Sequence, residues 1–134
     1  MTPGARVQAA IDILKDTLAS PLAADSVAAA YFRRRRYAGS GDRRAVLERV
    51  FSILRRRARL EWHLVRAGQE QAPDPRAFAL TDLVVGDGLD ATQAARLFAS
   101  STHAPEAMAE HEHRLTAALA GRPLDDPAMP DPVR

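Results

Sequence analysis

Arginine is the residue type in this 134-residue chain whose number and spacing point most clearly to a chemistry. Twelve of the 19 basic residues lie between residues 33 and 66, where only Asp42, Glu48 and Glu61 oppose them. This segment therefore carries a net charge of +9, although the whole chain carries only +2. Guanidinium groups make forked hydrogen bonds to phosphate. The pattern therefore predicts a polyanionic partner such as a nucleic acid.

The arginines form two groups that adjoin one long predicted helix. A tract of four precedes the turn Gly39-Ser40-Gly41, two more follow that turn, and others recur along one face of the helix. The predicted nucleic-acid-binding residues are Arg33, Arg34, Arg35, Arg36, Arg43, Arg44, Arg55, Arg56, Arg59 and Arg66. A structural alternative is that these side chains form a solvated face, cover apolar surface with their stems and complement a helix dipole.

Other residue combinations give no catalytic or metal site. Cysteine is absent, which excludes disulfides and thiolate chemistry within this chain. His111 and His113 are two residues apart on a predicted helix, about 200° around its axis, and cannot hold one ion together. Gly39-Ser40-Gly41 lacks the Gly-Lys-Ser/Thr ending of a phosphate-binding loop. Trp62 is expected in the core, with base stacking as the alternative.

Hydrophobic periodicity predicts an all-α protein, with a helix from Asp42 to Ala67 at its centre. Asp42 is its predicted N-cap. At Arg57 and Glu61, charged residues enter the apolar arc, so either these two residues pair or the helix breaks near Ala58. The predicted core-facing residues are Val46, Leu47, Val50, Ile53, Leu54, Leu64 and Val65. The opposite, solvent-facing arc contains Arg49, Ser52, Arg55, Arg56, Arg59, His63 and Arg66.

Further helices are predicted on both sides of this one, and together they make a bundle of about six to seven helices. Their predicted bounds are 3–20, 24–35, 76–85, 90–99 and 105–120. Asp90 to Gln93 form a capping-box pattern that opens the helix 90–99, with Asp90 as its predicted N-cap. Residues 1–120 are therefore expected to form one domain. Residues 121–134 contain four prolines and are expected to be a tail, or a linker to a further domain.

The chain contains no apolar run near the roughly 20 residues that a membrane crossing needs. Its first residues, Met1 to Arg6, also lack the apolar segment of a signal peptide. We therefore expect a cytoplasmic protein with no membrane partner.

Four stretches resemble the Fmu/RsmB-type rRNA cytosine-5 methyltransferases. TPGARVQAAIDIL (2–14) is similar to the opening of that family, and YAGSGDRRAV (37–46) and VFSILRRR (50–57) are similar to the following segments. LDDPAMP (124–130) resembles the connector that these proteins carry before their central region. The resemblance extends over essentially the whole chain and is most specific at the Gly-Ser-Gly-Asp-Arg turn.

The resemblance implies an N-terminal NusB-like RNA-binding domain that assists rRNA processing. In that family a separate domain, with two catalytic cysteines, binds S-adenosylmethionine. This chain alone would then be no enzyme and would hold no cofactor; its partners would be ribosomal or other structured RNA and a catalytic domain in cis. A stand-alone NusB-like antitermination factor is one alternative, and a structural module packing on the catalytic domain is another. The antitermination factors have an N-terminal basic motif, whereas the first helix here contains only Arg6 and Lys15.

Overall fold

The computed structural model describes residues 1–134, and all of its regular elements are helical. The prediction of an all-α bundle is confirmed, with six α-helices where about six to seven helices were predicted. The helices are α1 (Pro3–Leu18), α2 (Ala24–Arg33), α3 (Ser40–Arg66), α4 (Pro75–Thr81), α5 (Ala91–Arg96) and α6 (Glu110–Leu119). A π-helical turn (Asp82–Gly86) continues α4, and a 3-10 turn (Asp131–Val133) lies near the C-terminus. None of these helices combines the length and the apolar composition of a membrane span.

Two apolar clusters lie side by side, and α1 and α3 contribute to both of them. In the smaller cluster, Phe32 of α2 packs with Ile13 of α1 and with Val46 and Val50 of α3. The larger cluster joins the other parts of α1 and α3 to the second half of the chain, and Leu60 and Leu64 are fully buried in it. Truncating such a buried leucine to alanine typically costs about 2–5 kcal/mol. The pair α1–α3 is therefore the framework on which α2, α4 and α6 are positioned, while α5 packs on α6 and the π-helical turn.

Helix α3 is continuous through Ala58, so the predicted alternative of a break there is wrong. Arg57 and Glu61 are both exposed and make no ion pair with each other. The Arg57 guanidinium instead lies 6.0 Å from the ring centroid of Phe78. The helix tolerates these charges because both side chains reach solvent at the edge of the apolar face.

The start of α3 differs from the prediction by three residues. Gly39, not Asp42, is the N-cap, and Asp42 occupies the third helical position. From there its carboxylate accepts a hydrogen bond of 2.9 Å from the Gly39 N–H. A carboxylate in the first turn also interacts favourably with the positive end of the helix dipole. Asp42 therefore stabilises the N-terminal end of this helix, as predicted, but it does so from a position inside the first turn and not as the N-cap.

The predicted bounds in the second half are less accurate. The last helix begins at Glu110 rather than Pro105, because the carbonyl of Pro105 accepts a hydrogen bond from Ala99 N–H and the chain stays non-helical there. The predicted helix 76–85 changes to π-helical geometry at Asp82. Asp90 is the N-cap of α5 as predicted and forms a reciprocal capping pair with Gln93.

Residues 121–134 pack against α3, although they were expected to form a tail without core residues. Met129 is only 3% exposed. The His63 Nε2–H donates to the Leu124 carbonyl oxygen at 2.9 Å, and this bond assigns the tautomer. His63 is fully buried rather than solvent-facing, because this segment covers it.

Candidate nucleic-acid interface

The arginines of α3 lie in two rows, because a helix turns by about 100° per residue. The inner row contains Arg49, Arg56 and Arg59, and it faces the second half of the chain. The outer row contains Arg44 and Arg55 and faces solvent. The sequence predicted one solvent-facing arginine arc, whereas the structure divides it into a covered row and an open row.

Asp82 in the π-helical turn is the main acceptor for the inner row. Its carboxylate is completely buried and accepts from Arg49 Nη1 at 2.7 Å and from Arg56 Nη1 at 3.2 Å. Ser52 Oγ lies 3.4 Å from the same carboxylate. Charged groups taken out of water require partners of this kind, because an unpaired buried charge is strongly unfavourable. Asp82 therefore joins α3 to the second half of the chain.

Arg49 has a second carboxylate partner. Its Nη2 donates to Asp87 at 2.6 Å, while Nη1 donates to Asp82. Burial opposes the charged form of this guanidinium, but the hydrogen bonds to Asp87 and Asp82 outweigh burial and raise the Arg49 pKa above its usual value. Arg49 is thus a fixed structural cation whose donors are already directed at protein carboxylates.

Gly86 lets the π-helical turn approach α3 closely. A Cβ at this position would lie 2.7 Å from Arg56 Nη1 and 2.8 Å from Asp82 Oδ1. Any side chain here would therefore push the ion pair apart. The glycine is explained by this close approach and not by a phosphate-binding loop.

The C-terminal segment neutralises two further predicted arginines. Arg59 Nη1 lies 2.9 Å from Asp125 Oδ1, and Arg66 Nη1 lies 3.8 Å from Asp126 Oδ1. The Arg66 guanidinium also lies 4.9 Å from the Trp62 ring centroid. With Arg56, three of the ten predicted binding residues are therefore engaged by carboxylates of this same chain.

Six predicted arginines are exposed and make no ion pair. They are Arg33, Arg34, Arg36, Arg43, Arg44 and Arg55. Five of these six belong to the end of α2, the following turn or the first turns of α3. The Arg43 guanidinium lies 5.7 Å from the ring centroid of Phe32 in the last turn of α2, so the two tracts meet in space. We call this group of six residues the open arginine surface.

The tenth predicted residue, Arg35, is held beside Tyr31. Its guanidinium lies 3.6 Å from the Tyr31 ring centroid, and Nη1 donates to the Tyr31 carbonyl oxygen at 3.1 Å. Burial, followed by the hydrogen bond to Asp12, raises the pKa of the Tyr31 hydroxyl above its usual value. Arg35 is therefore oriented by aromatic packing and makes no bond to a carboxylate.

The base of the open arginine surface is fixed by Asp42. Its pKa is lowered from 3.8 to about 2 by the Gly39 N–H, then by Arg6 and by the amino group of Met1. Arg6 Nε donates to the carboxylate at 3.0 Å, and the Met1 amino group lies 3.2 Å away. The one acidic residue near this turn, Asp42, is thus paired with Arg6 and the Met1 amino group and does not pair with any arginine of the open arginine surface.

Some residues that were not predicted to bind nucleic acid also adjoin the open arginine surface. Tyr37 follows Arg36 in the turn and stacks on His103, with ring centroids 4.8 Å apart. His103 is separated from Tyr37 by 66 residues, so no pattern in the sequence indicated this contact. Phe51 and Val65, on the outer side of α3, are exposed as well, although Val65 was predicted to face the core.

Comparison with models of protein families, with curated proteins and with solved structures finds no significant match to this chain.

Proposed function

We propose that this chain is an RNA-docking domain for a separate S-adenosylmethionine-dependent rRNA cytosine-5 methyltransferase domain. The observation that carries the proposal is the open arginine surface, where six exposed guanidinium groups have no acidic partner and five of them adjoin the turn between α2 and α3. The link to a methyltransferase rests on the sequence resemblance at residues 2–14, 37–46, 50–57 and 124–130. The methyl transfer itself is assigned to the other domain, since this chain has no cysteine nucleophile.

The geometry supports phosphate contacts in particular. Arginine presents its donors in a planar fork that matches two phosphate oxygens, and exposed guanidinium groups bind without first breaking an ion pair. Contacts of this kind position an RNA on the domain but do not read its sequence. The domain would therefore increase the local concentration of RNA near the catalytic domain and leave the choice of nucleotide to that domain.

A second function, a structural one, is proposed for three of the arginines. Arg56 and Arg59 bond to carboxylates from the π-helical turn and the C-terminal segment. These two side chains hold the bundle together, so we exclude them from the proposed contact set. Arg66 has a longer contact of 3.8 Å and is excluded for the same reason.

Salt-dependent RNA binding tests the proposal. The test variant replaces Arg33, Arg34, Arg43 and Arg44 by glutamine, and the matched control replaces four exposed basic residues elsewhere, Arg57, Arg96, Arg114 and Arg134. Both variants lose four charges, so a difference between them reports on location rather than net charge. Each phosphate contact contributes about 0.7 to the slope of log K against log salt for single-stranded nucleic acid. The test variant should therefore flatten the slope by about 3.

The result that would overturn the proposal is equally specific. If the control variant flattens the slope as much as the test variant, the open arginine surface is not the site. If the wild-type chain binds no RNA at low salt, the domain is a structural module and the arginines serve its packing and hydration. Circular dichroism of each variant checks that the helical content is unchanged.

A further inference from the structure

Tyr37 and His103 form an exposed aromatic pair next to the open arginine surface. Their ring planes differ by 16°, so the two rings are stacked. Tyr37 comes from the turn between α2 and α3, and His103 comes from the loop between α5 and α6. Tyr37 is 48% exposed, so this stack is not buried in either apolar cluster. Proteins that bind single-stranded nucleic acids present exposed aromatic rings beside cations, and the bases stack on those rings.

The aromatic pair borders a hollow of about 250 Å³ with a polar floor. On that floor Asp12 accepts hydrogen bonds from Gln8 Nε2 at 2.8 Å and from the Tyr31 hydroxyl at 2.9 Å. The floor therefore offers amide and carboxylate groups that can hydrogen-bond the edge of a base. The volume lies just below the roughly 300 Å³ typical of the smallest ligand pockets, which is room enough for one base.

Arg35 lines the same hollow and supplies a positioned cation. The Tyr31 ring and the Tyr31 carbonyl oxygen fix its guanidinium, but these contacts use only one of its N–H groups. The remaining N–H groups have no carboxylate partner and are suited to a phosphate oxygen. Arg36, one residue further along, is exposed beside Tyr37. A base in the hollow would thus have cations available for the phosphates attached to it.

We propose that the Tyr37–His103 stack and its hollow form a subsite for one unpaired RNA base, with Arg35 binding an adjoining phosphate. The proposal rests on the RNA-docking function above and adds the class of substrate: RNA with at least one single-stranded position. Bases within a duplex are already stacked on both faces, whereas unpaired bases can leave the strand and stack on protein rings. The arginines then supply affinity, and the aromatic pair selects for unpaired RNA.

Fluorescence anisotropy with two labelled RNAs of equal phosphate number, a single strand and a blunt duplex without unpaired bases, tests this subsite. The variants are Tyr37→Ala, Tyr37→Phe and His103→Ala, and His113→Ala serves as a control at an exposed ring on α6, outside the hollow. Loss of one stacked base weakens binding by about 5- to 150-fold. We expect Tyr37→Ala and His103→Ala to weaken single-strand binding by about 10-fold, with an unchanged salt slope and unchanged duplex binding. Tyr37→Phe keeps the ring and should bind like the wild type, as should His113→Ala.

The possible outcomes distinguish a failure of the base subsite from a failure of the RNA-docking function. If the single strand and the duplex lose the same affinity in Tyr37→Ala, or neither loses any, the base subsite is refuted while arginine-dependent RNA binding stands. If Tyr37→Phe is as weak as Tyr37→Ala, the hydroxyl and not the ring matters, and stacking is refuted. If the wild type binds neither RNA, the docking function fails and the subsite fails with it. Urea midpoints of the variants identify any loss caused by unfolding.

Discussion

The Asp82 ion-pair network gives the sharpest test of how this bundle is held together. Asp82→Asn keeps the side-chain shape but removes the charge that faces Arg49 and Arg56. Asp82 is 0% exposed, whereas the side chains of Arg49 and Arg56 are 22% and 28% exposed. Breaking a fully buried pair costs about 3–5 kcal/mol. Both arginines keep some contact with water and Arg49 keeps Asp87, so we expect a loss of about 2–3 kcal/mol.

Urea denaturation followed by circular dichroism measures this loss. The m-value for a small protein is about 1–3 kcal/mol/M, so the midpoint should fall by about 0.7–3 M with an unchanged slope. Asp87→Asn is the matched control, because Asp87 bonds the same Arg49 but its side chain is 39% exposed. An exposed partner of this kind contributes less than about 1 kcal/mol.

If Asp82→Asn is no more destabilising than Asp87→Asn, the buried Asp82 carboxylate does not hold the bundle together. A double-mutant cycle with Arg56→Gln provides an independent check on the contact itself. A coupling energy near zero between positions 82 and 56 would show that the 3.2 Å contact contributes nothing to stability. A coupling of about 1 kcal/mol or more supports the network.

Four further outcomes are expected. The pKa of Asp42 is lowered from 3.8 to about 2 in the folded chain, so its stabilising contribution is complete above about pH 4 and is lost as the pH falls toward 2. Urea midpoints across that range should fall less steeply in Asp42→Asn, and an equally steep fall would contradict the assignment. Met129→Ala should cost about 2 kcal/mol and expose the C-terminal segment to proteases, whereas ready cleavage at residues 121–129 of the wild type would show that this segment does not pack. Gly86→Ala should cost about 1–3 kcal/mol by separating Asp82 from Arg56, and a neutral result would mean that the turn can move away. Calorimetry should detect no saturable binding of S-adenosylmethionine to this chain, and tight binding would refute the division of labour that we propose.

Local pattern was sufficient to predict the helices. Apolar residues at spacings of three and four predict helix wherever one face must be buried, and this placed α1, α2 and α3 to within a few residues. The capping pair at Asp90 and Gln93 is equally local and was predicted correctly. The concentration of arginines between residues 33 and 66 is also a property of the sequence alone. What these signals share is that the interacting groups lie within one or two helical turns of each other.

Tertiary structure decided which arginines remain open. Arg56 meets Asp82 across 26 residues and Arg59 meets Asp125 across 66, and no periodicity in the sequence reports such pairs. The same is true of His63, which is buried only because residues 121–134 return to cover it. Periodicity gives the angular position of a side chain on its own helix, but it does not indicate which other segment will pack there. The positive charge of the surface could therefore be predicted from the sequence. Which of its arginines stay exposed depends on where the acidic second half of the chain packs against α3.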